Sequence, residues 1–279
     1  SQEDVDAIAA LLDRANIDAE RHLTSDTISE NAPVKAWREA YRLFKTKKGA
    51  RCSIENLLKR VLKGKPVGHI TPAVDIYNTV SLTYALPVGG EDLHTIEGDL
   101  RLKVTDGGDA FLPLGEETDD PTLPGELAYI DDAGAVCRCW NWRDGVRTAL
   151  SDDSADAFLA IECAEPERMG DCQAAVDRLA ELLERYLGAT IVVKTLVTRD
   201  NPCVELLRRL RIMFAGQNHH KGVCPLCGGF YVDGLTNGIF GYGCCLVRLR
   251  CLPVSIMQAK GGRLPCSRTT RHVSRTLSD

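Results

Sequence analysis

The stretch ELAYIDDAGAVCRCWNW, residues 126–142, decides how the chain is read. Two β-prone runs, ELAYI and AVCRCWNW, flank the turn-forming DDAG, which is the order of a β-hairpin. If the second run stays extended, side chains alternate along it. Val136, Arg138, Trp140 and Trp142 then share one face, while Cys137, Cys139 and Asn141 share the other. Upstream, Leu100, Leu102 and Val104 alternate with Arg101 and Lys103 as in a half-buried strand, and the acidic loop LGEETDDPTLPGE leads into the hairpin. Downstream, AFLAIECA and ATIVVKTLV read as strands around a helix over 171–187, whose Val176, Leu179, Leu183 and Tyr186 face inward before Gly188.

The first part of the chain is helical. Val5, Ile8, Leu12, Ala15 and Ala19 recur at helical spacing over 2–23, and a second helix is expected over 34–45. Ser53 is positioned to cap a third helix, carrying Leu57, Leu58, Val61 and Leu62 and ended by Gly64. VDIYNTVSLTYA, 74–85, reads as a fourth, closed by Leu86-Pro87, with Gly89-Gly90 as a turn. Asp75 and Asn78 then lie one turn apart on one side. Hairpins among helices predict an α+β fold, a mixed or antiparallel sheet core with flanking helices and a helical N-terminal segment. Three regions are expected: a helical segment over 1–70, the α+β domain over 71–202, and a basic, Cys-rich tail over 203–279.

Charge separates the tail from the rest. The net charge of -5 hides 11 Lys and Arg against 3 Asp and Glu after residue 202, so everything before it is strongly acidic. Seven of the 12 cysteines fall in the tail, and a body of this size needs no disulfide staples. Reduced thiols and a cytoplasmic setting are the expectation. Neither a run of about 18 apolar residues nor a basic-then-apolar leader is read, so no membrane partner is expected. Periodicity stops after Asn201-Pro202, and the tail is expected to be poorly ordered or foreign. Cys224, Cys227, Cys244 and Cys245 are weak candidates for zinc, because Cys224-Pro-Leu-Cys227 lacks a matching second C-x-x-C. No metal site or cofactor is assigned.

The chain has no nucleophile elbow, Walker loop or dinucleotide glycine pattern, and His69 and His94 lack partners at readable spacing. Nucleotide hydrolysis and hydride transfer are therefore set aside. Cys137 and Cys139 are read as apolar filler before metal or redox groups. Arg38, Arg42, Lys45, Lys47, Lys48 and Arg51, near Trp37 and Tyr41, form a basic stretch suited to a phosphate backbone, or equally a solvated helix face.

PAVDIYNTVSLTYALPVGGEDL, GDLRLKV, PGELAYIDDAGAVCRCWNWRD and AFLAIECAEP, taken in order, resemble the free-standing relatives of the B3/B4 domain, the tRNA-editing module of the phenylalanyl-tRNA synthetase beta subunit. The resemblance runs over about residues 1–202. It implies an α+β domain that hydrolyses, in trans and without a cofactor, the ester of mischarged aminoacyl-tRNA, a translation-fidelity hydrolase whose partner is tRNA. The alternative it leaves open is a non-catalytic tRNA- or amino-acid-binding module of the same fold. Gly89 stands where the synthetase module carries a histidine, and the Trp/Arg stretch where that module has a glycine-rich turn ending in a glutamate that helps select tyrosine. Tyrosine specificity is thus not carried over.

An aminoacyl ester is already activated, so a placed water and a stabilised oxyanion suffice. On this reading Asn78, Asn141 and Arg143 are the candidate catalytic residues. Glu91, Asp92, Arg138, Trp140 and Trp142 are the candidate substrate-binding ones, with Glu91 or Asp92 positioned to hold the water or the substrate ammonium. Guanidinium groups suit anionic oxygens, and an indole can stack on the terminal adenine. The competing reading makes both indoles core and pairs Arg138 with an acidic neighbour.

Overall fold

A computed structural model of the protein describes residues 1–198, 203–207, 210–214 and 243–250. Among these, five α-helices flank two β-sheets, an α+β fold with a helical N-terminus. The helices are α1 (Gln2–Asp18), α2 (Ala32–Ala40), α3 (Ser53–Leu62), α4 (Pro72–Tyr84) and α5 (Met169–Leu187). The strands are β1 (Val88–Asp92), β2 (Leu100–Val104), β3 (Leu127–Ile130), β4 (Ala135–Arg138), β5 (Arg143–Asp144), β6 (Asp156–Cys163), β7 (Thr190–Val197), β8 (Cys203–Leu207), β9 (Leu210–Phe214) and β10 (Gly243–Arg250). One sheet runs β1-β6-β10-β7 and is antiparallel throughout. The other runs β5-β4-β3-β2-β9-β8, with β2 and β9 parallel.

Strand β6 explains how the layers fit. All eight of its residues are buried, because both of its faces are covered. Leu159, Ile161 and Cys163 point with Ala157 into a core shared with Ile76 and Val80 of α4 and Val176, Leu179 and Leu183 of α5. Phe158, Ala160 and Glu162 point the other way, toward the second sheet. Each fully buried aliphatic side chain of this kind contributes about 1.5–3 kcal/mol.

Several local expectations need correction. Cys52, not Ser53, is the N-cap residue of α3, and Ser53 is its first helical residue. Helix α2 ends at Ala40, short of residue 45. Gly89-Gly90 is not a turn but the middle of β1: Gly90 lies against Leu159 so closely that a Cβ there would meet Leu159 Cδ2 at 2.2 Å. Glycine is thus required by close approach rather than by turning.

The strand expected over 135–142 stops at Arg138. Cys139 and Trp140 follow with φ of 45° and 67°, in the left-handed region that residues with a Cβ rarely adopt. The chain reverses, and β5 returns beside β4 with Cys137 opposite Asp144. Trp140 and Trp142 therefore do not share a strand face.

Residues from the tail enter both sheets. Strands β8 and β9 extend the second one, and β10 fills the position between β6 and β7. Arg248 of β10 is buried and donates from Nε and Nη2 to Asp156 of β6, each at 3.0 Å. Of the tail, residues 203–207, 210–214 and 243–250 are described, all of them in strands. Cys224 and Cys227 lie outside the described residues, as do the side chains of Cys244 and Cys245.

Candidate functional site

Where β1 and β6 of one sheet face β3, β4 and β5 of the other, a pocket opens at the end of the β4–β5 hairpin. It encloses about 520 Å³ of space, part of it open to solvent. Strand alternation delivers its walls: Gly89 and Glu91 pair with Ala160 and Phe158, so all four share the face that also carries Glu162. The hairpin adds Cys137, Trp140, Asn141, Trp142 and Asp144, and Ser53 stands at the start of α3. Three carboxylates, from Glu91, Asp144 and Glu162, line the pocket, and no Lys or Arg does among the described residues.

Glu162 is held by three donors. Tyr129 Oη and Trp140 Nε1 each donate to its Oε1 at 2.6 Å, and Asn141 Nδ2 donates to Oε2 at 2.5 Å. Tyr41 Oη in turn donates to Asn141 Oδ1 at 2.8 Å, which fixes the amide's orientation. Burial raises the Glu162 carboxyl above its usual range, and the three donors pull it back only in part.

Glu91 is different. It is 4% exposed, and its Oε2 and the neighbouring Thr148 Oγ1 are buried without a well-formed hydrogen bond, although the Thr148 hydroxyl is near enough to favour the charged carboxylate. Burial pushes its carboxyl well above the usual value, and the Asp144 charge adds to this. Asp144 is half-buried and also raised by burial, against a hydrogen bond from Cys137 that lowers it. The thiols stay protonated: burial takes Cys139 up to about 12 and Cys137 well above its ordinary value.

The left-handed turn has identifiable supports. Cys139 N–H donates to Glu126 Oε1 at 2.9 Å and Trp140 N–H to the Leu127 carbonyl at 2.6 Å. The Trp140 ring meets Trp37 edge-on at 4.8 Å and Phe44 at 6.2 Å. Backbone strain of this kind costs on the order of 1–3 kcal/mol per residue, and it persists because surrounding contacts over-determine it. It aims the Trp140 N–H inward at Glu162 and leaves Asn141 at the pocket wall.

Across Tyr41 lies a second, open cleft of about 650 Å³, lined by Trp37, Arg38, Tyr41, Arg42, Arg51 and Glu55 among others. Arg38 donates from Nε and Nη2 to Glu55 at 3.0 and 2.6 Å, and Arg51 Nε lies 3.6 Å from the same carboxylate. One buried acid thus faces two guanidiniums. Arg42 points to solvent with Glu39 as its partner.

A family model described as the B3/4 domain matches residues 36–188, more than half of the chain. The chain belongs to the B3/4 domain family. No curated protein matches it. The B3/4 domain match runs from within α2 to the end of α5, the span that contributes every residue of the pocket.

Of the residues singled out from sequence, Glu91, Asn141, Trp140 and Trp142 meet at this B3/4 pocket. Asn78 is buried on α4 and is not among the pocket lining. The Asp92 carboxylate is occupied by His94 N–H at 2.8 Å and Ser154 Oγ at 2.6 Å. Arg138 is fully buried, forked onto Glu126 at 2.9 and 2.6 Å, with Asp120 Oδ2 at 2.9 Å; it holds the hairpin and presents no donor to the pocket. Arg143 reaches away to Glu116 and the Leu114 carbonyl. The Trp140 indole is 5% exposed and its ring is core, whereas Trp142 is half-buried with Lys47 Nζ 6.0 Å over its ring.

In the basic stretch, Arg38, Arg42 and Arg51 line the second cleft, Lys47 pairs with Asp120, and Lys45 and Lys48 are exposed. Glu162 and Asp144 were not singled out, and Tyr41 was noted only as an aromatic beside the basic stretch. Their signal was present but faint: Glu162 is the one acidic residue inside the apolar run AFLAIECA, on a strand buried on both faces. No group of three or more His, Cys, Asp or Glu is arranged to hold a metal ion among the described residues.

Proposed function

We propose that this B3/4 domain hydrolyses the ester of mischarged aminoacyl-tRNA in trans, with the aminoacyl group in the carboxylate-lined pocket and the RNA backbone along the arginine cleft. One observation carries this reading: a buried acidic pocket and an open cleft with Arg38, Arg42 and Arg51 lie on either side of Tyr41, as an ester joining an amine-bearing acid to a polyanion requires. The B3/4 domain match, together with the sequence's resemblance to the synthetase editing module, supports the same substrate class.

In the proposed reaction, water adds to the ester carbonyl and the bond to the terminal ribose oxygen breaks. That oxygen takes up a proton, and the amino acid leaves as its carboxylate. Asp144 is suited to accept the water's proton: it is half-buried at the pocket wall, and burial moves its carboxyl toward neutral pH. Glu162, already accepting from three donors, stays an acceptor and holds Asn141 against the pocket. Trp142, with its ring only half-covered, is the indole available to stack on the terminal base.

The test is release of free amino acid from a panel of mischarged tRNAs by the purified protein. Turnover above the spontaneous rate, lowered about 10²–10⁴-fold in Asp144→Asn, supports the deacylase. Retention of the charged tRNA without turnover instead identifies a binding module.

A further inference from the structure

We infer that the pocket accepts only acyl groups carrying a free primary amine, and that Glu91 is the residue that takes the ammonium. This deepens the reading above and rests on it. It separates α-aminoacyl esters from their N-acylated counterparts, the formylated and peptidyl esters.

The assignment follows from which acceptors remain open. Glu162 already receives three donors, and the Asp92 carboxylate is engaged outside the pocket. Glu91 lines the cavity with Oε2 buried and in no well-formed hydrogen bond, its one nearby donor being the Thr148 hydroxyl, a position costly to leave so poorly filled. Space is provided as well, since Gly89 on the same strand face has nothing within 4 Å of the place a Cβ would occupy.

The charges around Glu91 favour a cation. Asp144 faces it from β5 and Asp131 from the end of β3, both pushing its carboxyl upward, while Tyr77 of α4 and Cys137 of β4 are neutral neighbours. Arg147 is the opposing positive charge. It is forked onto Asp131 at 2.7 and 2.8 Å and is not among the pocket lining.

An ammonium brought to Glu91 neutralises the carboxylates it meets and fills the open acceptor. Its binding displaces the Glu91 proton to solvent, so discrimination steepens as pH rises, until the amine itself loses its proton. An N-acyl amide carries no charge, adds bulk and leaves Glu91 uncompensated. Geometry ties this to the chemistry: the amine nitrogen of an α-aminoacyl ester lies about 2.5 Å from its carbonyl carbon, across one N–Cα–C angle. An amine at Glu91 therefore holds the reacting carbonyl within the pocket that Asp144 also lines.

The experiment uses the full chain and non-hydrolysable 3′-amide analogues of aminoacylated adenosine, in alanyl, seryl and phenylalanyl forms, each with a free or an N-acetylated amine. Calorimetric titration is expected to show the free amine binding at least about tenfold tighter, with the preference lost in Glu91→Gln. Equal binding of both forms by the unaltered protein overturns the inference and leaves the deacylase reading standing. Binding of neither form overturns both. The comparison of ligands on the unaltered protein does not depend on whether the variant folds.

Discussion

At Glu162, two carboxylate oxygens meet three donors from two segments, so the side chain knits β3 and the hairpin turn to its own strand β6. Glu162→Gln turns one acceptor into a donor facing donors. We expect it to destabilise the protein by about 1–3 kcal/mol in chemical denaturation, more than the roughly 1 kcal/mol expected for Tyr129→Phe. Arg138→Ala strands Glu126 as an unpaired buried charge and is expected to cost about 3–5 kcal/mol by the same measurement. Glu91 makes a prediction of opposite sign. Its carboxyl is raised in the folded state, so the folded protein holds more protons than the unfolded one above the ordinary glutamate range. Its contribution is fully present at low pH and lost as pH climbs toward its folded-state value. Denaturation across pH is therefore expected to show Glu91→Gln gaining on the unaltered protein as pH rises, and a constant difference refutes the assignment. Asp156 behaves in reverse: burial raises it, but hydrogen bonds from Arg248 and Arg250 outweigh that and hold it low, so its contribution disappears as pH falls through its folded-state value.

The two glycines of β1 give a paired prediction at the level of the strand. Gly90→Ala drives a Cβ into Leu159 and is expected to cost about 1–3 kcal/mol in thermal or chemical unfolding. Gly89→Ala meets nothing within 4 Å and is expected to fold normally while narrowing the pocket beside Glu91, lowering turnover in the deacylation assay. The same strand shows where reading from sequence ends. Helices α1, α3 and α5 were legible because each carries an apolar stripe at helical spacing, α4 because Leu86-Pro87 closes its run, and β2 because it alternates. Strand β1 was not, because Gly89 and Gly90 signal a turn whenever the partner strand is unknown. The hairpin was half legible: its first arm and reversal were clear, but the left-handed pair Cys139-Trp140 depends on Glu126, Leu127 and Trp37, contacts that no local pattern encodes. For the same reason Glu91 and Asn141 could be picked as polar residues in suggestive places, whereas Arg138 looked like an anion binder until Glu126 was found beneath it.

Over the whole molecule, three carboxylates line the pocket without a cation among its described lining residues, while at the cleft Glu55 and Glu39 offset Arg38, Arg51 and Arg42. Binding of tRNA is expected to weaken steeply with salt, and Arg42→Ala and Lys48→Ala to flatten the slope of log K against log salt by about one unit per phosphate contact removed. A salt-independent affinity would place the RNA elsewhere. The interposed strand β10 bears on how such a protein comes into being. Its neighbours β6 and β7 are separated by a single helix, yet the strand that joins them lies nearly fifty residues beyond β7. On the ribosome, β6 and β7 therefore wait with open hydrogen-bonding edges until residue 250 has been synthesised, a high-contact-order closure that is intrinsically slow and exposes the nascent chain to aggregation.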